Sequence, residues 1–254
     1  MNTETFGSTQ PGPDFFKKSQ NSLQEFKEDF EYKTNNPYRE KLQEFSHLIL
    51  QDLEGEKFQG KWKKEVFKNS HPLHLEIGTG YGHFLEQFCH DNENINLIGM
   101  DYRFKRSFQL TKRLAKQEIE NTRLLRAKGE RVNFLFSQSE IDQAYFFFPY
   151  PWPKNRHLKK RLFQIPFLEK IHHALRPDGL FYIKTDHDGY AKWMKQVMDD
   201  NPFFEIQFAT NDLHNEKEQT LLQKYQTKFE KIFITQNKNT VSYTHLTLPT
   251  KRIV

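Results

Sequence analysis

The apolar positions of this chain fall into short runs separated by amphipathic stretches. Asn36-Pro37 has the form of a cap followed by a first-turn proline, and Tyr38, Leu42, Phe45 and Ile49 follow at helical spacing, so a helix is predicted there. Residues 74–77 read as a buried strand ending in Gly78-Thr79-Gly80-Tyr81-Gly82, with a helix after it whose buried face carries Phe84, Leu85 and Phe88. Residues 96–100 read as a second strand closed by Asp101, residues 105–119 as a basic helix, residues 123–126 as a third strand and residues 144–148 as a strongly apolar fourth. A helix over residues 166–175 stops at the turn signal Pro177-Asp178-Gly179, and a strand (180–184), a helix (190–198) and a further strand (205–209) follow. Strands alternating with helices predict an α/β, doubly wound and mostly parallel sheet with helices on both faces. In such a fold ligands sit at the carboxyl ends of the strands. The glycine loop, Asp101, the proline-rich stretch after residue 148 and Asp186 all fall at such ends and are predicted to line one crevice.

Composition modifies this picture at a few points. Hydrophobic residues make up 36% of the 254 residues and aromatics 15%, with 25 Phe, so the core is expected to lean on Phe. The net charge of +5 is compatible with a polyanionic partner without requiring one. A single cysteine, Cys89, excludes an intrachain disulfide, fits a reducing compartment and leaves no structural zinc site to expect. The first residues lack the apolar segment of a signal peptide, and no run approaches the length of a membrane span, so a cytoplasmic protein with no membrane and no metal partner is expected. Residues 1–35 are polar and charged and are expected to form a flexible arm before a domain over 36–240. Residues 241–254 do not fit the rest. They resemble the translation of a sequencing-library adapter, and on that reading they are a non-native tail to be set aside from the fold; a genuine terminal strand is the alternative.

The glycine loop narrows the ligand. Glycines let the backbone approach a ligand without a Cβ in the way. The spacing here is G-x-G-x-G, not the G-x-G-x-x-G of a pyrophosphate site. An acid at the end of the second strand, Asp101, can accept hydrogen bonds from ribose hydroxyls. Together these suit an adenosine ligand without phosphates, such as S-adenosylmethionine; a nicotinamide dinucleotide is the rival.

The stretch from Phe147 to Arg161 carries the substrate signal. Pro149, Pro151 and Pro153, alternating with Tyr150 and Trp152, stiffen the backbone after a buried strand and offer an aromatic wall to a flat base. Lys154, Arg156, His157, Lys159, Lys160 and Arg161 follow, a cluster that phosphates attract. Stacking surface beside cations is what a splayed RNA base requires. A small-molecule methyltransferase is the alternative, and it leaves the basic run without a purpose.

With these residues in hand, the chain resembles the bacterial tRNA (guanine-N7)-methyltransferase family, of TrmB type, over residues 72–233. The resemblance rests on Leu75-Glu76-Ile77-Gly78-Thr79-Gly80, Ile98-Gly99-Met100-Asp101, Phe148-Pro149 through Arg161, Lys184-Thr185-Asp186 and Thr227-Lys228-Phe229-Glu230. It implies a class I S-adenosylmethionine-dependent methyltransferase fold and methylation of N7 of a tRNA guanine, at nucleotide 46, by a monomer or homodimer. It implies that Glu76, Gly78, Gly80 and Asp101 hold the cofactor, that Lys154 and Asp186 contact the substrate, and that Thr227, Lys228, Phe229 and Glu230 form a loop closing over the site. The basic run from Arg156 to Arg161 would meet the tRNA. Two positions depart from the family pattern. Tyr150 stands where the family has a catalytic aspartate, and Lys128 stands where it often has an acid near the adenine. The first departure opens a second reading, a catalytically weak RNA-binding protein that retains the methyltransferase fold.

Overall fold

The computed structural model describes residues 35–217, 220–236 and 239–247. All but Asn35 of the expected amino-terminal arm, and residues 248–254 of the tail, lie outside that range. Among the described residues eight strands form one sheet: β1 (Ile49–Gln51), β2 (Leu73–Ile77), β3 (Asn96–Met100), β4 (Thr122–Arg126), β5 (Ile141–Phe147), β6 (Leu175–Thr185), β7 (Phe204–Thr210) and β8 (Val241–Thr247). The helices are α1 (Tyr38–Gln43), α2 (Leu53–Glu56), α3 (His83–Asp91), α4 (Phe104–Leu114), α5 (Val132–Leu135), α6 (Ile165–Ala174), α7 (Asp188–Asp199), α8 (Leu221–Lys224) and α9 (Lys228–Thr235).

The spatial order is β1-β4-β3-β2-β5-β6-β8-β7, parallel throughout except β8, which runs antiparallel to both its neighbours. From β2 the chain winds outward through β3 and β4; from β5 it winds the other way through β6. The winding therefore reverses between β2 and β5, and the crevice outside their carboxyl ends is the natural ligand position in a doubly wound sheet. Side chains alternate across the sheet. Leu73, Leu75 and Ile77 of β2 join Ile98, Phe146, Phe181 and Ile183 on the face covered by α6 and α7, through Phe167, Ile171, Trp193 and Met194. Phe84, Leu85 and Phe88 of α3 and Leu110 and Leu114 of α4 cover the other face with Leu97, Tyr145 and Phe147. Phe does carry much of this core, with Phe146 and Phe181 each in ring contact with the other and with Phe163 and Phe167.

Two expectations are corrected here. Ile49 is not on a helix: the chain leaves α1 through tight turns from Leu42 to Leu48, and Ile49 pairs with Leu124 at the sheet edge. The backbone of β4 would otherwise have no partner on that side, and the Leu124 N–H donates to the Leu48 carbonyl at 2.7 Å. Second, the sheet does not end at residue 240. Val241–Thr247 is β8, inserted between β6 and β7, with Val241, Ser242 and Tyr243 buried and the Ser242 hydroxyl donating to the Ile183 carbonyl at 3.0 Å. A strand slot selects for β-branched and aromatic residues rather than for ancestry, and Val241 and Tyr243 meet that demand.

Candidate functional site

The loop after β2 starts the site. Gly78, Gly80 and Gly82 have φ of 84°, 56° and 75°, a region that favours glycine. A Cβ at Gly78 would meet nothing within 4 Å, so this backbone faces open space, whereas one at Gly82 would run into Leu110 of α4. The loop is anchored below by the Gly78 and Thr79 amides, which donate to the Met100 carbonyl at 2.7 and 3.1 Å. Arg113 anchors it from the side by donating to the Tyr81 carbonyl while pairing with Glu86.

Asp101 lies at the end of β3, almost fully buried. The Gly80 amide donates to one of its carboxylate oxygens at 3.1 Å and the Arg103 amide to the other at 2.8 Å, with Arg106 at 3.7 Å. Burial raises its pKa, and these donors pull against that shift. Glu76, one position before the end of β2, is 2% exposed, and its Oε2 has no hydrogen-bond partner. Burial, with repulsion from Asp101 second, pushes its pKa up to about 8. An unpartnered buried carboxyl beside a bare glycine backbone is poorly satisfied on its own. The donor set fits a ligand that brings hydroxyls and positive charge, and Asp101 and Glu76 are the residues that would hold it. Lys128 follows β4, half-buried, and leads into a single turn from Gly129 to Arg131.

The opposite bank is the segment after β5. The Phe148 amide donates to the Lys184 carbonyl at 2.8 Å, and both Phe148 and Trp152 adopt left-handed backbone (φ 49° and 44°), a costly conformation for non-glycine residues. Tyr150 is 66% exposed and meets Trp152 edge-on at 4.9 Å. His157 also packs edge-on against Trp152 at 5.5 Å, and the Lys160 ammonium lies 5.0 Å from the same ring system. Lys154, Arg156, Lys159 and Lys160 are exposed around a short turn of 3₁₀ helix, and His157 is half-buried there.

Arg161 departs from its expected role. It is 5% exposed, donates to the Pro151 carbonyl at 2.8 Å, and stacks its guanidinium over Tyr190 and Trp193 at 4.8 and 5.0 Å. It braces the aromatic wall from behind and is not open to a phosphate.

Asp186 follows β6, half-buried, just before the His187 cap of α7. The segment Thr227–Glu230 is also not a free loop. Thr227 caps α9, its hydroxyl accepting from the Glu230 amide at 3.1 Å while the Glu230 carboxylate accepts from the Thr227 amide at 3.1 Å. Glu230 is fully buried and pairs with Lys184 at 2.9 Å, so it has no access to a substrate. Phe229 stays 42% exposed, and the Lys228 ammonium reaches back over the Tyr81 ring at 5.1 Å, so α9 does border the glycine loop. Lys184, quoted above only within a family motif, has a structural role that was not expected of it, as the buried partner of Glu230. Its signal was a lysine ending an otherwise apolar strand, Phe181-Tyr182-Ile183. A separate cavity of about 680 Å³ lined by His47, His71, Glu93 and Arg123 lies at the amino ends of the strands and shares no residue with this cluster.

A family model described as putative methyltransferase matches residues 70–243. A tRNA (guanine-N(7)-)-methyltransferase of Bacillus cytotoxicus is 32% identical over 197 residues, covering 77% of this chain and 89% of that protein. A bifunctional glycosyltransferase/methyltransferase of Fusobacterium nucleatum is 34% identical over 212 residues, covering 82% of this chain; the chain spans only 32% of that protein's length. Among solved structures, the 16S rRNA methyltransferase KamB matches with a TM-score of 0.56 at 14% identity, covering 78% of this chain and 94% of that one, a likeness of fold alone.

Proposed function

Because the chain belongs to the tRNA (guanine-N7)-methyltransferase family, of TrmB type, we propose that it transfers a methyl group from S-adenosylmethionine to N7 of a guanine in tRNA, in the cytoplasm. The observation that carries this reading is the pairing across one crevice: buried Glu76 and Asp101 beside an open glycine backbone, opposite exposed Tyr150 and half-buried Trp152 with cations beside them.

When bound, the cofactor supplies an electrophilic methyl group on a sulfonium. Glu76, Gly78, Gly80, Asp101 and Lys128 border its place. Guanine N7 carries a free lone pair at neutral pH, so no residue here has to remove a proton. The task of the chain is alignment, a proximity effect. Trp152 and Tyr150 offer faces for the base, Lys154 a contact to the substrate, and Asp186 a carboxylate for the positive charge the purine gains. Arg156, His157, Lys159 and Lys160 are suited to the flanking phosphates. The test is incubation of an unmodified tRNA transcript with protein and cofactor, followed by mass mapping of its nucleosides. A single 7-methylguanosine is expected. Absence of methylation with cofactor and tRNA both bound would favour the RNA-binding reading, which family membership does not.

Glu76 gives this site a pH signature. With a pKa of about 8 in the free protein, its carboxyl holds a proton at pH 7. A cationic ligand favours the carboxylate, so binding expels that proton. Affinity should therefore rise with pH up to about 8, by at most about tenfold per unit, and level off above it. Calorimetry in buffers of different ionisation enthalpy should detect the release at pH 7, and Glu76→Gln should abolish it. Proton-neutral binding by the unsubstituted chain would remove Glu76 from the cofactor site.

Tyr150 occupies the position of the family's catalytic aspartate and offers a dipole and a ring in place of a charge. Loss of one preorganised electrostatic group costs about 10²–10³ in rate, and stacking by Tyr150 offsets part of that. Tyr150→Asp should then raise the single-turnover methylation rate by about tenfold, some 1.4 kcal/mol of barrier. A slower Tyr150→Asp, with Tyr150→Phe slower still, would make the tyrosine a working substitute with its own role.

A further inference from the structure

The rim of the crevice is aromatic on both banks. The large hydrophobic side chains exposed among the described residues are Leu53, Tyr81, Tyr102, Tyr150, Phe229, Ile232 and Ile234. All four aromatic ones lie around the crevice: Tyr81 after β2, Tyr102 after β3, Tyr150 after β5, and Phe229 on α9 beside the glycine loop. Single exposed apolar residues are ordinary, but a cluster of them around one cleft marks a binding surface.

On the β3 side each exposed ring has a cation beside it. The Arg103 guanidinium lies 5.4 Å from the centroid of Tyr102, and Arg106 and Lys228 lie 5.9 and 5.1 Å from that of Tyr81. This repeats the composition of the other bank, where Lys160 accompanies Trp152. Rings for bases with cations for phosphates are the two parts of a single-strand nucleic-acid platform. The geometry also suits one strand touching both banks. β3 and β5 flank β2, so their ends stand about 10 Å apart at the spacing of hydrogen-bonded strands.

We propose that Tyr102, Arg103, Tyr81 and Lys228 form a second RNA platform across the crevice from Tyr150 and Trp152, and that it stacks nucleotides flanking the target guanine. This rests on the tRNA reading above and deepens it: the substrate presents its guanine from a splayed segment gripped on both sides, not as an isolated base. Stacking on Tyr102 and the charge of Arg103 contribute separately. The backbone amide of Arg103 that holds Asp101 is untouched by changes to its side chain.

The experiment measures tRNA binding by anisotropy over a range of salt, and cofactor affinity by calorimetry, for wild type, Tyr102→Ala, Tyr102→Trp and Arg103→Gln. Tyr102→Ala should weaken tRNA binding about tenfold with an unchanged salt slope, and Tyr102→Trp should retain it. Arg103→Gln should lower the log–log salt slope by about 1. Tyr102→Ala binding tRNA as wild type does, in a protein that methylates tRNA, would overturn this platform and leave the proposed activity standing. Loss of cofactor affinity without loss of tRNA affinity would also overturn it, because the ring would then belong to the cofactor. A wild-type chain that neither binds nor methylates tRNA would overturn both readings.

Discussion

Truncation after Thr240 is expected to abolish cooperative unfolding. β8 is the strand between β6 and β7, registered against Leu180–Thr185 on one side and against Phe204–Thr210 on the other. Its removal strips backbone partners from both, at roughly 0.5–1.5 kcal/mol for each hydrogen bond lost. It also removes the buried side chains of Val241 and Tyr243, worth about 1.5–3 kcal/mol each, and uncovers the neighbouring Phe181, Ile183 and Phe204. The sum is comparable with the whole stability of a domain, about 5–15 kcal/mol. The measurement is a thermal melt followed by circular dichroism. The control replaces residues 244–247 with other β-branched and polar residues while keeping Val241, Ser242 and Tyr243, and it should melt sharply. A truncated chain with a sharp transition within a few degrees of the full one would mean that β8 is dispensable.

The tail illustrates which parts of this molecule its sequence made legible. Its resemblance to an adapter translation concerns where the residues came from, and origin does not decide conformation. We propose that the segment is foreign and that it nevertheless fills the slot, because the slot asks only for extended backbone and suitable faces. The centre of the fold was readable for the opposite reason: β2, the glycine loop, α3 and β3 carry local patterns that burial does not overrule. β1 was missed because Tyr38, Leu42, Phe45 and Ile49 keep a helical period by coincidence while the chain turns after Gln43. The role of Arg161 was unreadable within its basic run; only the return of Tyr190 and Trp193 from α7 shows that it faces inward. Thr227-x-x-Glu230 did carry its own signal, that of a capping box opening a helix, and the loop expected there overrode it.

Lys184→Met is expected to destabilise the protein by about 3–5 kcal/mol, the cost of stranding one half of a buried ion pair. Both side chains of the Lys184–Glu230 pair are 0% exposed. The ammonium donates to both Glu230 oxygens at 3.0 and 2.9 Å, to the Tyr225 carbonyl at 2.8 Å and to the Leu222 carbonyl, and it lies 4.9 Å from the Phe147 ring centroid. Burial lowers the lysine's pKa, and the carboxylate opposes that shift. One ammonium thus ties the end of β6 to α8, to the turn after it and to α9. Methionine keeps the volume and removes every one of those bonds, leaving a buried carboxylate that keeps the Thr227 amide as a donor, with the His214 imidazole 3.2 Å away. Lys184→Met/Glu230→Leu should recover most of the loss, since neither charge then remains, while the two carbonyls stay unpaired. Urea titrations of the two single variants and the double variant give the coupling energy directly. Because α9 carries Lys228 and Phe229 to the rim, Lys184→Met should also raise the KM for tRNA more than it lowers kcat. A loss below about 1 kcal/mol for Lys184→Met would place this pair with weakly contributing surface ion pairs and leave α9 held by its apolar contacts alone.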